Sequence, residues 1–174
     1  MANRAYLFPS DSGQFERLGH LAGPYFDSRW VIPAGWLFLY GPEDITPVSI
    51  NFEDSTWQEV KLRSPKDRAI NRFQARRPIL ARLLGGRLGD AAVEEFVGTL
   101  RGWPGLFLLL DPEEVLAGGS DAEQEHATRF DVFGLLDANP VPLGAVAAEV
   151  ERYVGPFDAD PERCRGQVFG YTYW

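Results

Sequence analysis

A single α+β or α/β domain spanning residues 1–174, with a mixed sheet of about five strands packed against four to five helices, is predicted from three observations. The first is the apolar run Leu106 to Leu110, opened by Pro104-Gly105 and closed by Asp111-Pro112, which reads as a strand buried on both faces. The second is a pair of alternating stretches, Val48 to Phe52 and Gln58 to Leu62, separated by the polar Glu53-Asp54-Ser55-Thr56. They read as a hairpin with one wet face. The third is the set of helical stripes, clearest in Val93, Phe96, Val97 and Leu100, and again in Leu143, Val146, Ala147, Val150 and Tyr153.

Taken in order, Arg4 to Phe8 forms a first strand, ended by Pro9-Ser10-Asp11-Ser12-Gly13. Phe15, Leu18 and Leu21 allow a short helix, and Tyr25, Phe26 and Trp30 follow in a loop with Asp27 and Arg29. Val31 to Tyr40 fits either a strand at 36–40 or a short helix with Pro33 at its first position. Ser64-Pro65-Lys66-Asp67 begins a helix with Ser64 as its cap, which Pro78 breaks or kinks before Gly85-Gly86 ends it. Asp90 caps the next helix, which Gly102 and Pro104 stop. Ser120 to Glu123 is a capping box for a helix carrying Ala127, Phe130 and Phe133. Gly155-Pro156 closes the 143–153 helix. A polar linker then leads to a last strand at 167–173, with Phe169, Tyr171 and Tyr173 on one face.

At 174 residues the chain can bury about 70% of its unfolded surface without staples. A lone cysteine, Cys164, excludes an internal disulfide and multi-cysteine metal sites. The opening residues lack the apolar core of a signal peptide, and no run reaches the ~18 apolar residues of a membrane span. The expected setting is the cytoplasm, with no membrane partner.

Charge supplies the long-range signal. Residues 61–87 hold nine basic side chains against Asp67 alone, for +8, while residues 1–60 and 88–174 carry −5 and −11, within a net −8. Either these arginines pair inside the fold with acidic helices near 94–95 and 121–125, or they form a face for an anion or a partner. On the second reading Arg72, Arg76 and Arg77 are the binding residues. The net negative charge and the absence of a recognition motif argue against nucleic acid.

No complete catalytic constellation is visible. Asp111, at the carboxyl end of the central strand, stands where open α/β sheets place ligand-facing residues, but Asp-Pro-Glu-Glu also describes a helix cap. His20 and His126 lack zinc spacing, and Gly85-Gly86-x-x-Gly89 ends a helix where a dinucleotide loop would follow a strand. No cofactor or metal is therefore expected. The aromatics Tyr25, Phe26, Trp30, Trp36 and Trp57 are expected mostly in the core, with a few, Trp30 among them, as candidates to line a groove with Arg29 and Asp27.

The opening Asn3-Arg4-Ala5-Tyr6-Leu7, with Ser28 to Pro33 and Trp103-Pro104-Gly105 through Asp111-Pro112-Glu113-Glu114, resembles a group of small bacterial proteins. The resemblance implies no activity. In size and acidity the chain is also similar in general character to immunity proteins that neutralise toxins. The expectation is a non-catalytic cytoplasmic protein-binding module, immunity-like or regulatory, acting through charged surface. The alternative is a small enzyme or anionic-ligand binder with a cleft near Asp111 and the 61–87 arginines.

Overall fold

The computed structural model describes residues 4–15, 23–52, 55–116 and 129–173. Its strands are β1 (Arg4–Ser10), β2 (Tyr25–Arg29), β3 (Ile45–Phe52), β4 (Ser55–Pro65), β5 (Phe107–Asp111) and β6 (Tyr171–Tyr173). Its helices are α1 (Ala34–Leu37), α2 (Lys66–Leu84), α3 (Asp90–Gly102), α4 (Glu113–Leu116), α5 (Val132–Leu136), α6 (Leu143–Val154) and α7 (Pro161–Phe169). This is an α+β fold on one sheet of order β3-β4-β5-β1-β2-β6. Every pairing is antiparallel, where a mixed sheet was expected. The cause is topological: α2 and α3 bring the chain back beside β4 pointing the opposite way, so β5 inserts antiparallel between β4 and β1.

β5 is the central strand the apolar run predicts. Leu108, Leu109 and Leu110 are fully buried. Leu108 and Leu110 face the main core with Leu7 and Leu62, while Leu109 pairs across the opposite face with Phe8. Leu106, by contrast, lies outside the strand and is exposed. Its backbone holds the entry to β5, donating to Ser10 O at 3.0 Å and accepting from Lys66 N at 2.8 Å. Gly105 makes that entry possible. Its φ of +88° suits glycine, and a Cβ there would meet the Ser10 backbone at 2.9 Å.

Several local expectations change once packing is considered. The 31–40 ambiguity resolves to the helix α1, with Pro33 as its N-cap. All residues from Ala34 to Tyr40 are buried, so no periodic signal exists to separate helix from strand. Tyr25–Arg29 is a strand where a loop was expected. Its buried Asp27 and Ser28 disguise it, and pairing on both edges with β1 and β6 secures it. Ser64 does not cap α2: it is a buried β4 residue whose hydroxyl accepts from Arg68 Nε at 3.3 Å, and Pro65 takes the cap position. Pro78 lies inside an α2 that runs uninterrupted from 66 to 84. Gly85 ends it in the left-handed conformation, as expected. Asp90 begins α3, but Gly89 holds the cap position. The stripe on α3 is buried as predicted. So are Val146, Val150 and Tyr153 on α6.

The carboxyl-terminal reading changes most. The expected polar linker contains α7, capped by Asp160, which accepts from Arg163 N at 3.0 Å, with Pro161 at the first position. Gln167 to Phe169 therefore belong to a helix, and the last strand shrinks to β6 at the sheet edge. Phe169 is buried, stacked on Phe96 with centroids 4.7 Å apart. The expected helix at Phe15–Leu21 and the capping box at Ser120 fall largely or wholly outside the described residues.

Two substitutions test this account. Leu108→Asp should place an unpaired charge in a fully buried site, at a loss above about 4 kcal/mol, and abolish soluble folding. Gly105→Ala should lose more than about 1 kcal/mol in chemical denaturation, because the Ser10 backbone cannot move aside.

Candidate functional site

The basic helix α2 carries three of the predicted binding residues, Arg72, Arg76 and Arg77. Arg68, Arg72 and Arg76 are spaced four residues apart, so they share one face of α2. That face looks onto the segment from Phe38 to Asp44. Asp44 is buried with no exposed side-chain surface; it accepts from Gly41 N at 2.9 Å and pairs with both Arg68 and Arg72. Arg72 also pairs with Glu43. Arg76 is 4% exposed, donates to the carbonyls of Phe38 and Tyr40, and pairs with Asp137. Arg77, on another face, pairs with Asp90 at 2.8 Å and with Glu94. The positive charge of α2 is thus largely spent within the chain, on Glu43, Asp44, Asp90, Glu94 and Asp137. Of the acidic helices expected to serve this role, 94–95 contributes Glu94, and 121–125 lies outside the described residues.

Titration follows from these contacts. Burial lowers the Arg76 pKa from its ordinary value, and Asp137 opposes the shift. Glu43 is held below the usual carboxylate range by its own backbone N–H and by Arg72. A depressed carboxylate pKa stabilises the fold above its unfolded value, and the contribution disappears as pH falls through the lowered folded value.

Asp111 is 3% exposed, so its carboxylate is closed to a substrate. Its Oδ2 accepts from Lys61 Nζ at 2.7 Å, and Lys61 also lies 3.3 Å from Glu59 and 5.6 Å from the centre of the Phe15 ring. This pair sits on the sheet face opposite the main core, beside Tyr6 in the register. On the same face Asp27, buried, pairs with Arg4.

Arg29 and Trp30 stand apart from these closed networks. A surface cleft of about 560 Å³ opens where β2, α7 and β6 meet, lined by residues that include Ser28, Arg29, Asp158, Arg163, Gln167 and Tyr171. β6 pairs with β2 only from Tyr25 to Asp27, so Ser28 and Arg29 run past its end into the cleft. Arg29 is exposed, and among the described residues no side chain pairs with it. Arg163 is 78% exposed, with its Nη1 3.7 Å from Asp158. Gln167 is fully engaged: its Oε1 accepts from Asp158 N at 2.7 Å and its Nε2 donates to Pro156 O at 2.9 Å. The Tyr171 hydroxyl lies over Gly166, where a Cβ would come within 2.6 Å of it.

Trp30 is the strongest anomaly of the surface. Its φ is +67°, in the left-handed region that bulky residues avoid, and it is 64% exposed. Two residues on, the chain is anchored, since Ile32 N donates to Tyr153 O at 3.1 Å. The turn thus holds an indole out in solvent between two residues that line the cleft. Trp36 and Phe26, by contrast, are core, as expected.

His20 and His126 lie outside the described residues, and among the described residues no cluster of His, Cys, Asp and Glu could hold a metal. Cys164 is buried, and burial raises its thiol pKa. Among the described residues no helix is long and apolar enough to cross a membrane. Comparison of the chain with protein-family models, curated proteins and solved structures gave no match.

The arginine contacts predict a contrast. Arg76→Ala should strand the buried carbonyls of Phe38 and Tyr40, at about 1–3 kcal/mol each, and lower the denaturation midpoint accordingly. Arg77→Ala, at an exposed pair, should melt close to wild type.

Proposed function

We propose that this chain is a non-catalytic cytoplasmic binding module, immunity-like or regulatory in kind, which meets another protein at the face formed by Arg29, Trp30 and Tyr171. The observation that carries the reading is Trp30. A tryptophan held in a left-handed turn costs of order 1–2 kcal/mol, and burial within the chain does not offset it. Partner burial would. Trp, Tyr and Arg are also the residue types that dominate interface energies, and Tyr171, 57% exposed, stands at the same cleft. The residues on which an enzyme or α2-based anion site would rest are engaged elsewhere: Asp111 with Lys61, and Arg72, Arg76 and Arg77 with acidic partners.

The test exploits opposite signs. Trp30→Asn places a residue tolerant of the left-handed region in the turn, so the free protein should gain up to about 1 kcal/mol in chemical denaturation. The same variant, immobilised and exposed to cell lysate beside wild type, should lose the protein that wild type retains. Equal retention by the stabilised variant would remove this face from the function.

A further inference from the structure

The cleft beside Trp30 carries a ligand preference of its own, resting on the protein-binding reading above. Each acidic group lining it is already matched. Asp27 pairs with Arg4, and Asp158 faces Arg163 while accepting from Asp160 N at 2.9 Å. The Gln167 amide is used at both ends. Hydrogen-bonding capacity left over is mostly that of donors: the Arg29 guanidinium, the remaining N–H groups of Arg163, and the Tyr171 hydroxyl. A cationic ligand would meet Arg29 with no spare carboxylate to offset it.

We propose that the cleft receives an acidic side chain of the partner, an Asp or Glu, whose carboxylate is taken by Arg29 with Arg163 and Tyr171 at its margin. A guanidinium presents parallel N–H donors that match a carboxylate in a two-pronged contact. The Trp30 indole beside it offers apolar area to a neighbouring side chain, so the segment recognised is an acidic residue flanked by apolar ones. The net −8 of the chain does not forbid this, because screening over about 8 Å at physiological salt leaves the local charges dominant.

The experiment is a nuclear magnetic resonance titration of the whole ¹⁵N-labelled protein, reading the Arg29 Nε–H, the Trp30 indole N–H and the Gly166 amide. The probes are acetyl-Leu-Glu-Leu amide, its Gln counterpart and inorganic phosphate. The Glu peptide should shift all three signals and saturate in the range of about millimolar concentration expected for so small a contact. The Gln peptide should leave the Arg29 signal in place. Arg29→Gln, an exposed substitution with wild-type melting, should weaken the Glu peptide at least about tenfold. Equal shifts with both peptides, or none with either, would overturn the carboxylate assignment. Saturation by phosphate at lower concentration than the Glu peptide would overturn it in favour of phosphate. None of these results touches the protein-binding reading, which falls only if Trp30→Asn retains the lysate partner as well as wild type does.

Discussion

The burial of β5 on both faces and both edges is the constraint on which the rest of the structure depends. Three leucines in succession, fully buried, need cover above and below the sheet and a hydrogen-bonded neighbour on each side. β1 and β4 supply the neighbours, and each arrives antiparallel. The helical layer covers Leu108 and Leu110 through Phe73, Phe96 and their companions, while Phe8 shares the opposite face with Leu109. Gly105 then permits the tight approach that starts the strand, and Lys66, the first residue of α2, is tied to the same corner through Leu106. Sheet order, helix placement and the α2 start are therefore linked at one strand.

Placing α2 against that sheet brings its arginines over the 38–44 segment, and there a second constraint operates. Asp44 is a carboxylate without exposed surface, and such a charge is tolerated only with partners. Gly41, Arg68 and Arg72 provide them. Arg76 serves the adjacent carbonyls of Phe38 and Tyr40, at the end of the buried α1 segment. Part of the positive charge in residues 61–87 is thus used inside the fold: Arg68 and Arg72 neutralise the buried Asp44, and Arg76 satisfies the carbonyls of Phe38 and Tyr40. Arg29, by contrast, carries a charge that no described side chain neutralises, and it lies next to Trp30, which is exposed in a left-handed turn.

Much of this protein was written in local pattern. The unbroken apolar run identified the central strand, and alternation identified the β3–β4 hairpin. Periodicity placed α3 and α6. Each of these follows from side-chain geometry along one element, which a sequence carries directly. The Asp160-Pro161 start of α7 is equally legible, but its buried residues, Cys164, Gly166, Val168 and Phe169, form no apolar stripe that marks a helix. Arg29 and Trp30 were named as groove candidates from their residue types alone.

The sequence by itself therefore determined an α+β or α/β domain, the strand at its centre and the segment in which positive charge gathers. The tertiary structure decided the pairing of that charge, since ion pairs such as Arg76 with Asp137 join residues 61 positions apart. It also decided that Asp111 faces a buried lysine, that the sheet is wholly antiparallel, and that the cleft forms between β2, α7 and β6. The reason is physical. Periodicity reports which side of its own element a residue occupies, whereas partners depend on which elements packing brings together. The left-handed backbone at Trp30 lies beside a contact of the same class, the bond from Ile32 to Tyr153, 121 residues away in the chain.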